Sequence, residues 1–220
     1  MITKQLIVYL LACMGLLACS ASSVTIEGKD GINRQKEYYL YGCQAGSLIP
    51  IASALIDSNG CFRLNVPLPQ EGFYLLGTEQ GVMHPFYLKG NETIRLRFQT
   101  NGMILEGEQT PENQALSQWE QAATLVREHA FLYERFGGGY STDPATFTQE
   151  LEDLLRVRQQ LKPEKATGNA TFNSLLKAKM EADVDFYALA YLQRNAGNLS
   201  DTIRLSNYYQ KMQPEKTLQQ

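Results

Sequence analysis

The chain has 220 residues, enough for one large domain or two small ones. Hydrophobic residues make up 44% and charged residues 20%, the proportions of a globular protein that buries a core. The formal net charge is −3 with no basic cluster, which excludes a nucleic-acid partner, since that role needs a concentrated positive face.

Met1 to Gln5 carries one positive charge, on Lys4, and an apolar run follows from Leu6 through Ala18. The run is shorter than the ~20 residues of a spanning helix and has the proportions of a signal-peptide core. Leu16-Leu17-Ala18-Cys19 resembles the lipobox of bacterial lipoproteins, where the cysteine thiol receives a diacylglycerol and the preceding peptide is cut. Small Ala18 suits the peptidase, and only a thiol can supply the thioether. A second copy, Leu10-Leu11-Ala12-Cys13, would leave a short apolar core and put Met14-Gly15-Leu16-Leu17 on the mature protein. Cys19 is followed by Ser20-Ala21-Ser22-Ser23, a polar tether.

The expectation is a lipoprotein signal peptide over 1–18, lipid on Cys19 and a tether over 19–23. The alternative is a simple secretory signal cut near Ala18 or Ala21, leaving a soluble protein. Lys4 is the only charge before Cys19, so the mature chain carries 19 basic and 23 acidic side chains, or −4. Several acyl chains hold a protein on a bilayer stably, where one does not. Ser20 replaces the aspartate that marks inner-membrane retention, and no acidic run follows Cys19. The expected position is therefore the periplasmic face of the outer membrane.

From Val24 to Glu108 the chain reads as strands. Phe62-Arg63-Leu64-Asn65-Val66 and Thr93-Ile94-Arg95-Leu96-Arg97-Phe98 alternate apolar and polar, so each has one buried and one wet face. Phe73-Tyr74-Leu75-Leu76 and Phe86-Tyr87-Leu88 are aromatic-rich runs bounded by Gly and Pro. Asp57-Ser58-Asn59-Gly60 predicts a hairpin, and Lys89-Gly90-Asn91-Glu92 another tight turn. Seven or eight short strands at this spacing predict an antiparallel β-sandwich or half-open barrel over 24–108.

Cys43 and Cys61 remain after cleavage, in an oxidising compartment. On strands of one sheet they could meet in a disulfide, contributing about 3 kcal/mol. The alternative is two buried free thiols acting as small hydrophobes. Their spacing is not Cys-x-x-Cys, so no thioredoxin-type redox pair is present.

After Gly107 the period becomes helical, giving a helical region over 109–220. Thr110 caps a helix with Pro111 at its first position, and Leu116, Trp119, Ala123, Val126 and Ala130 form its apolar stripe. Gly137-Gly138-Gly139 stops it. Thr142-Asp143-Pro144 opens a second helix with Phe147, Leu151, Leu154, Leu155 and Leu161 inside. A third spans roughly Phe172 to Asn195, and Ser200-Asp201 caps a short fourth.

Residues with chemistry are sparse. His84 and His129 lie in different elements without ligand-like neighbours, so neither a metal nor a catalytic triad is expected. The acidic residues, as in Glu150-Leu151-Glu152-Asp153, read as solvated helix surface rather than a glycosidase-like pair. Gly137-Gly138-Gly139 lacks the Lys and Ser/Thr of a phosphate loop. Tyr38, Tyr39 and Tyr41 cluster on one strand; Tyr39 and Tyr41 share a face, while Tyr38 takes the other. Sheet packing is their first reading, and ligand contact by Tyr39 and Tyr41 the second. Asp201-Thr202-Ile203 resembles the short O-glycosylation acceptor of Bacteroidetes-type bacteria, although Asp201 also suits a helix start.

Taken together, Ile26-Glu27-Gly28, Tyr39-Leu40-Tyr41, Ile56-Asp57-Ser58-Asn59-Gly60-Cys61-Phe62 and Gly72-Phe73-Tyr74-Leu75 form an ordered series. It continues through Phe86-Tyr87-Leu88-Lys89-Gly90-Asn91-Glu92 and Glu106-Gly107 to Asn113 and Trp119. Over about residues 24–120 it resembles the N-terminal domain of unknown function of Bacteroidetes-type periplasmic thioredoxin-like lipoproteins. The helical half is similar to the spacer that follows in that family. The downstream thioredoxin fold with its Cys-x-x-Cys has no counterpart before Gln220, and the resemblance transfers no catalytic residue. The chain is then either a piece of a longer protein of that kind or a stand-alone version of its accessory region. The anchor, the sandwich-plus-helix plan and the sparse reactive residues give the expectation of a non-catalytic accessory module, partnered by the bilayer through acylated Cys19 and by a thioredoxin-like domain or other envelope protein. A glycan- or small-ligand-binding lipoprotein is the alternative. No cofactor is expected.

Overall fold

The computed structural model describes residues 22–31, 36–44, 46–79, 83–99, 102–131 and 143–195. Strands come first and helices after, so the fold is α+β, as the change of period predicts. The chain divides between Gly107 and Glu108 into two compact units. The signal-like segment, Cys19, Gly137-Gly138-Gly139, the fourth helix expected after Ser200 and the Asp201-Thr202-Ile203 motif lie outside the described residues.

The first unit holds β1 (Ser23–Asp30), β2 (Glu37–Gln44), β3 (Ser47–Leu55), β4 (Cys61–Pro67), β5 (Gly72–Gly77), β6 (His84–Leu88), β7 (Glu92–Gln99) and β8 (Gly102–Glu106). They form two four-stranded sheets, ordered β4-β1-β7-β8 and β3-β2-β5-β6. Alternation decides the inner faces: Val24, Ile26, Leu64, Val66, Ile94 and Leu96 come from one sheet. Leu40, Leu76, Phe86 and Leu88 come from the other, and all share one core. The unit is a β-sandwich. One pairing departs from the antiparallel expectation, because β1 and β7 run parallel. Alternation fixes which face is buried and is blind to strand direction.

Both expected turns exist, but they do different work from a hairpin. Asp57 Oδ1 accepts from the backbone N–H of Asn59 and Cys61, each at 2.8 Å. Gly60 adopts φ +77°, and a Cβ there would stand 2.8 Å from Asp30 O. The turn therefore carries the chain from β3 in one sheet to β4 in the other. The turn over Lys89, Gly90, Asn91 and Glu92 likewise crosses from β6 to β7.

These crossings define two ends of the sandwich. At the end where β1 begins, Leu68 N–H donates to Ser22 O at 2.7 Å and Asn91 N–H to Ser23 O at 2.6 Å. A Cβ on Gly90 would lie 2.4 Å from Ser22 Cβ, so that serine is held from two sides. At the opposite end Asp30 N–H donates to Gly60 O at 2.7 Å. There Tyr38 lies between Phe62 and Phe98, with ring centroids 4.5 Å from each. The Tyr38 hydroxyl donates to buried Asp30 at 3.3 Å. From Tyr38, β2 runs back toward the Ser22 end.

The second unit holds α1 (Pro111–Phe131), α2 (Pro144–Gln160), α3 (Pro163–Ala166) and α4 (Ala170–Asn195). Every residue of the expected α1 stripe is buried: Leu116, Trp119, Ala123, Val126 and Ala130. Asp143 caps α2, accepting from the N–H groups of Ala145 and Thr146. Phe147 of α2 stacks on Tyr191 of α4 at 3.8 Å. Leu161 is the C-cap of α2 rather than an interior residue, its N–H donating to Val157 O at 2.9 Å. Helix α4 opens earlier than Phe172 because Asn169 Oδ1 accepts from Phe172 N–H, placing the cap ahead of Ala170.

Candidate functional site

The outer faces of the two sheets differ in chemistry. On β4-β1-β7-β8, Glu27 meets Arg63 Nη1 and Arg95 Nε, each at 3.1 Å, and Arg97 meets Glu106 at 2.5 Å. The arginines are largely exposed, so these pairs add little stability. A shallow depression of about 530 Å³ lies over this face, bordered by Glu27, Arg63, Arg95, Asp57 and Cys61. Its charges neutralise one another, which leaves a wet, closed ladder.

On β3-β2-β5-β6 the outer face is aromatic and aliphatic. Residues opposite one another across an antiparallel pair share a face. Tyr41 faces Leu75, Leu75 faces Pro85, and Phe73 faces Tyr87. The rings of Tyr39 and Tyr41 are 6.0 Å apart and tilted by 35°. Tyr38 points into the core and Tyr39 and Tyr41 stay half-buried outside, so the strand splits them between faces as the alternation predicts. The Tyr39 hydroxyl donates to Glu37 at 2.7 Å. Hydrogen bonds from Ser53, then Tyr39, hold the Glu37 carboxyl below its ordinary value. The bond to Glu37 in turn raises the Tyr39 phenol.

Strand β3 lies at the edge of this sheet and carries no charged residue over Ser47–Leu55. Leu48, Ile49, Ile51 and Leu55 are all substantially exposed. Natural edge strands are usually blunted with charge or proline; here Pro50 and the shift of register beside Tyr41 are the devices present.

Cys43 and Cys61 are both free thiols, so of the two alternatives the bridge across a sheet is not the one made. Cys43 sits in β2 and Cys61 in β4, in different sheets. Cys61 neighbours Phe62, which stacks on Tyr38. Cys43 is five positions further along extended β2, about 17 Å away at the rise of a strand. A disulfide needs Cα atoms within about 7 Å. Cys43 is also exposed rather than a buried small hydrophobe.

The helical unit contains a constellation that acidic residues scattered on helices did not suggest. Lys179 Nζ lies 2.9 Å from Glu120 and 2.6 Å from Asp183. Arg127 Nη1 donates to Glu120 at 2.7 Å, and Trp119 Nε1 donates to Asp183 at 2.8 Å. Burial raises the Glu120 carboxyl, but Lys179 and Arg127 outweigh it and leave it below the ordinary range. Burial lowers Lys179, and Glu120 and Asp183 outweigh that in turn, leaving it raised. Burial, with Asp183 next, pushes the Tyr187 phenol up to about 12. Two cations face two carboxylates, so each charge has a partner of opposite sign. The step of four between Lys179 and Asp183 was the one signal in the sequence.

His129 Nδ1 lies 2.7 Å from Glu150, tying α1 to α2, and His84 packs its ring 5.4 Å from Phe98. Asp153 pairs with Arg156, and Glu152 is exposed. Among the described residues no group of His, Cys, Asp or Glu converges to hold a metal ion, and no helix is long and apolar enough to cross a membrane. The chain matches no family model, no curated protein and no solved structure.

Proposed function

We propose that the protein is a lipid-anchored module of the bacterial cell envelope, cut before Cys19 and held by acyl chains on that sulfur. The carrying observation is Leu16-Leu17-Ala18-Cys19 behind an uncharged apolar run, with β1 beginning only four residues later. The mature domain acts without catalysis, as a partner-binding or positioning element for envelope thiol-redox proteins, on the periplasmic face of the outer membrane. Exposed Ile51 and Leu55 in the later part of edge strand β3 support partner binding, since an uncharged edge can accept an added strand or an apolar surface. The mutual neutralisation of Glu120, Arg127, Lys179 and Asp183 supports a structural rather than a reactive role for the helical unit.

Labelled palmitate incorporation tests the anchor. It is expected in the native sequence and in Cys13→Ser, and lost in Cys19→Ser; label retained in Cys19→Ser refutes the assignment. For the redox association, crosslinking in the native envelope is expected to capture a protein with a thioredoxin fold. Repeated capture of other partners alone rejects it.

The second reading is a glycan- or small-ligand-binding lipoprotein, favoured by the adjacent Tyr39 and Tyr41 rings beside the Glu37 carboxylate. Calorimetric binding of an oligosaccharide that disappears in Tyr39→Ala and Tyr41→Ala selects this reading over the first.

A further inference from the structure

Ser22 is where the folded sandwich takes hold of the chain. Its carbonyl accepts from Leu68, its side chain packs on Gly90, and Ser23 is paired with Pro67 and bonded to Asn91. Three residue steps separate Ser22 from Cys19, and a fully extended chain spans at most about 3.6 Å per step, or roughly 11 Å. An anchor on that cysteine is therefore a short leash attached to one end of the sandwich.

The same end carries exposed apolar side chains. Strand β2 runs from Tyr38, level with Phe62 and Phe98, back to Gln44. That is six positions, or about 20 Å at the rise of a strand. Strand β1 covers the same span from Gly28, opposite Phe62, back to Ser22. The start of β3, which pairs Leu48 with Cys43 and Ile49 with Gly42, thus lies at the level of the first residues of β1. Leu48 is 49% exposed and Ile49 39% exposed, on a strand without charge. Successive strand residues point to opposite faces, so Leu48 and Ile49 put apolar atoms on both sides of the sheet at this end.

We infer that this end of the sandwich, with Leu48 and Ile49 as its apolar contacts and Ser22 as its pivot, docks on the lipid surface that holds the acyl chains. The inference rests on the lipidation of Cys19 and adds an orientation to it. Charge takes little part: Lys89 is offset by Glu71 and Glu92 at the same end. Docking is set by the leash and the aliphatic contact, so uncharged lipid suffices. Strands β1 and β7 then start at the bilayer and run away from it, and the end bearing Asp30, Tyr38 and Gly60 faces the aqueous compartment.

The two native thiols report on the two ends. Cys43 pairs with Leu48 at the docking end, and Cys61 pairs with Lys29 at the other. The acylated full-length protein, as Cys61→Ser or as Cys43→Ser, is labelled with a thiol-reactive fluorophore. Each is then reconstituted into phosphatidylcholine vesicles with nitroxide-bearing headgroups. The expected result is quenching of the Cys43 label and none of the Cys61 label. Leu48→Ser with Ile49→Ser is expected to abolish the Cys43 quenching while the protein still floats with the vesicles. Equal quenching at both positions, or none at Cys43 in protein that floats, overturns the docking and leaves the anchor standing. A Cys43 label equally shielded in Cys19→Ser protein without vesicles identifies a second copy or another protein as the occupant and also overturns it. Protein lacking the lipid mass and failing to float overturns the anchor itself, and the docking with it.

Discussion

The indole Nε1 of Trp119 donates to Asp183 Oδ2 at 2.8 Å, joining α1 to α4 through a carboxylate that Lys179 also grips. Trp119 is fully buried and is the chain's single tryptophan, so its fluorescence follows the helical unit alone.

Removing that donor isolates its contribution. Trp119→Phe keeps most of the packing volume and deletes the bond to a charged acceptor, which is worth about 1.5–3 kcal/mol. Urea unfolding followed by circular dichroism is expected to show a lower midpoint with an unchanged slope. A midpoint equal to the parent's shows that Lys179 alone satisfies Asp183.

The charge cluster also sets a pH dependence. The folded Glu120 carboxyl lies below its unfolded value, so its stabilisation is present above about pH 4 and is lost as pH falls through the folded value. Lys179 is raised, so its share is full below about pH 10 and is lost as pH rises through its folded value. Thermal melts of the helical signal are expected to plateau between those limits and fall on both sides. Glu120→Gln is expected to lower the plateau and flatten the acid limb; an acid limb as steep as the parent's rejects the assignment.

Among the described glycines, Gly28 leaves the least room for a side chain. A Cβ at Gly28 would stand 2.1 Å from the Phe62 ring, which must move and unstack from Tyr38. Gly28→Ala is expected to cost about 1–3 kcal/mol as an overpacked core does, with loss of near-ultraviolet tyrosine dichroism. An unchanged aromatic spectrum contradicts this packing.

Both thiols are expected to react with a thiol-specific reagent in protein purified without reductant, Cys43 faster because it is exposed. Replacing both by serine is expected to leave the melting temperature within the small range of surface substitutions. An oxidised mass with no reactive thiol rejects the separation of the two residues.

Asp143→Ala removes the side chain that accepts from Ala145 and Thr146 at the start of α2. The expected loss is about 1 kcal/mol in the helical unit. Asp143→Asn keeps an acceptor and is expected to recover most of it.

What the sequence made legible follows from locality. Caps at Thr110 and Asp143, the stripe through Trp119, and the alternation through Ile94 and Leu96 are set by residues a few positions apart, and each appears where the pattern puts it. The pairing of β1 with β7 is not local, and the Asp57–Gly60 turn looks the same whether it joins one sheet or bridges two. The separation of Cys43 from Cys61 follows from that bridging and was hidden for the same reason. The cluster around Lys179 was partly visible at the step to Asp183, but its other half comes from α1, about sixty positions earlier. The aromatic face of β3-β2-β5-β6 was present in the tyrosines, but its extent depends on which strands lie side by side.

The placement of β1 carries a consequence for biogenesis. The first of the described strands sits in the middle of its sheet, with Thr25 bonded to Asn65 forty positions on and Glu27 to Arg95 sixty-eight positions on. The nascent segment has no local neighbour to close against, so β1 cannot be flanked on both edges until seven of the eight strands of the sandwich have been synthesised, and such distant contacts make folding slow. A polypeptide built this way stays open along most of the unit while it is made, and β1 is clasped on both edges only once β7 has followed it.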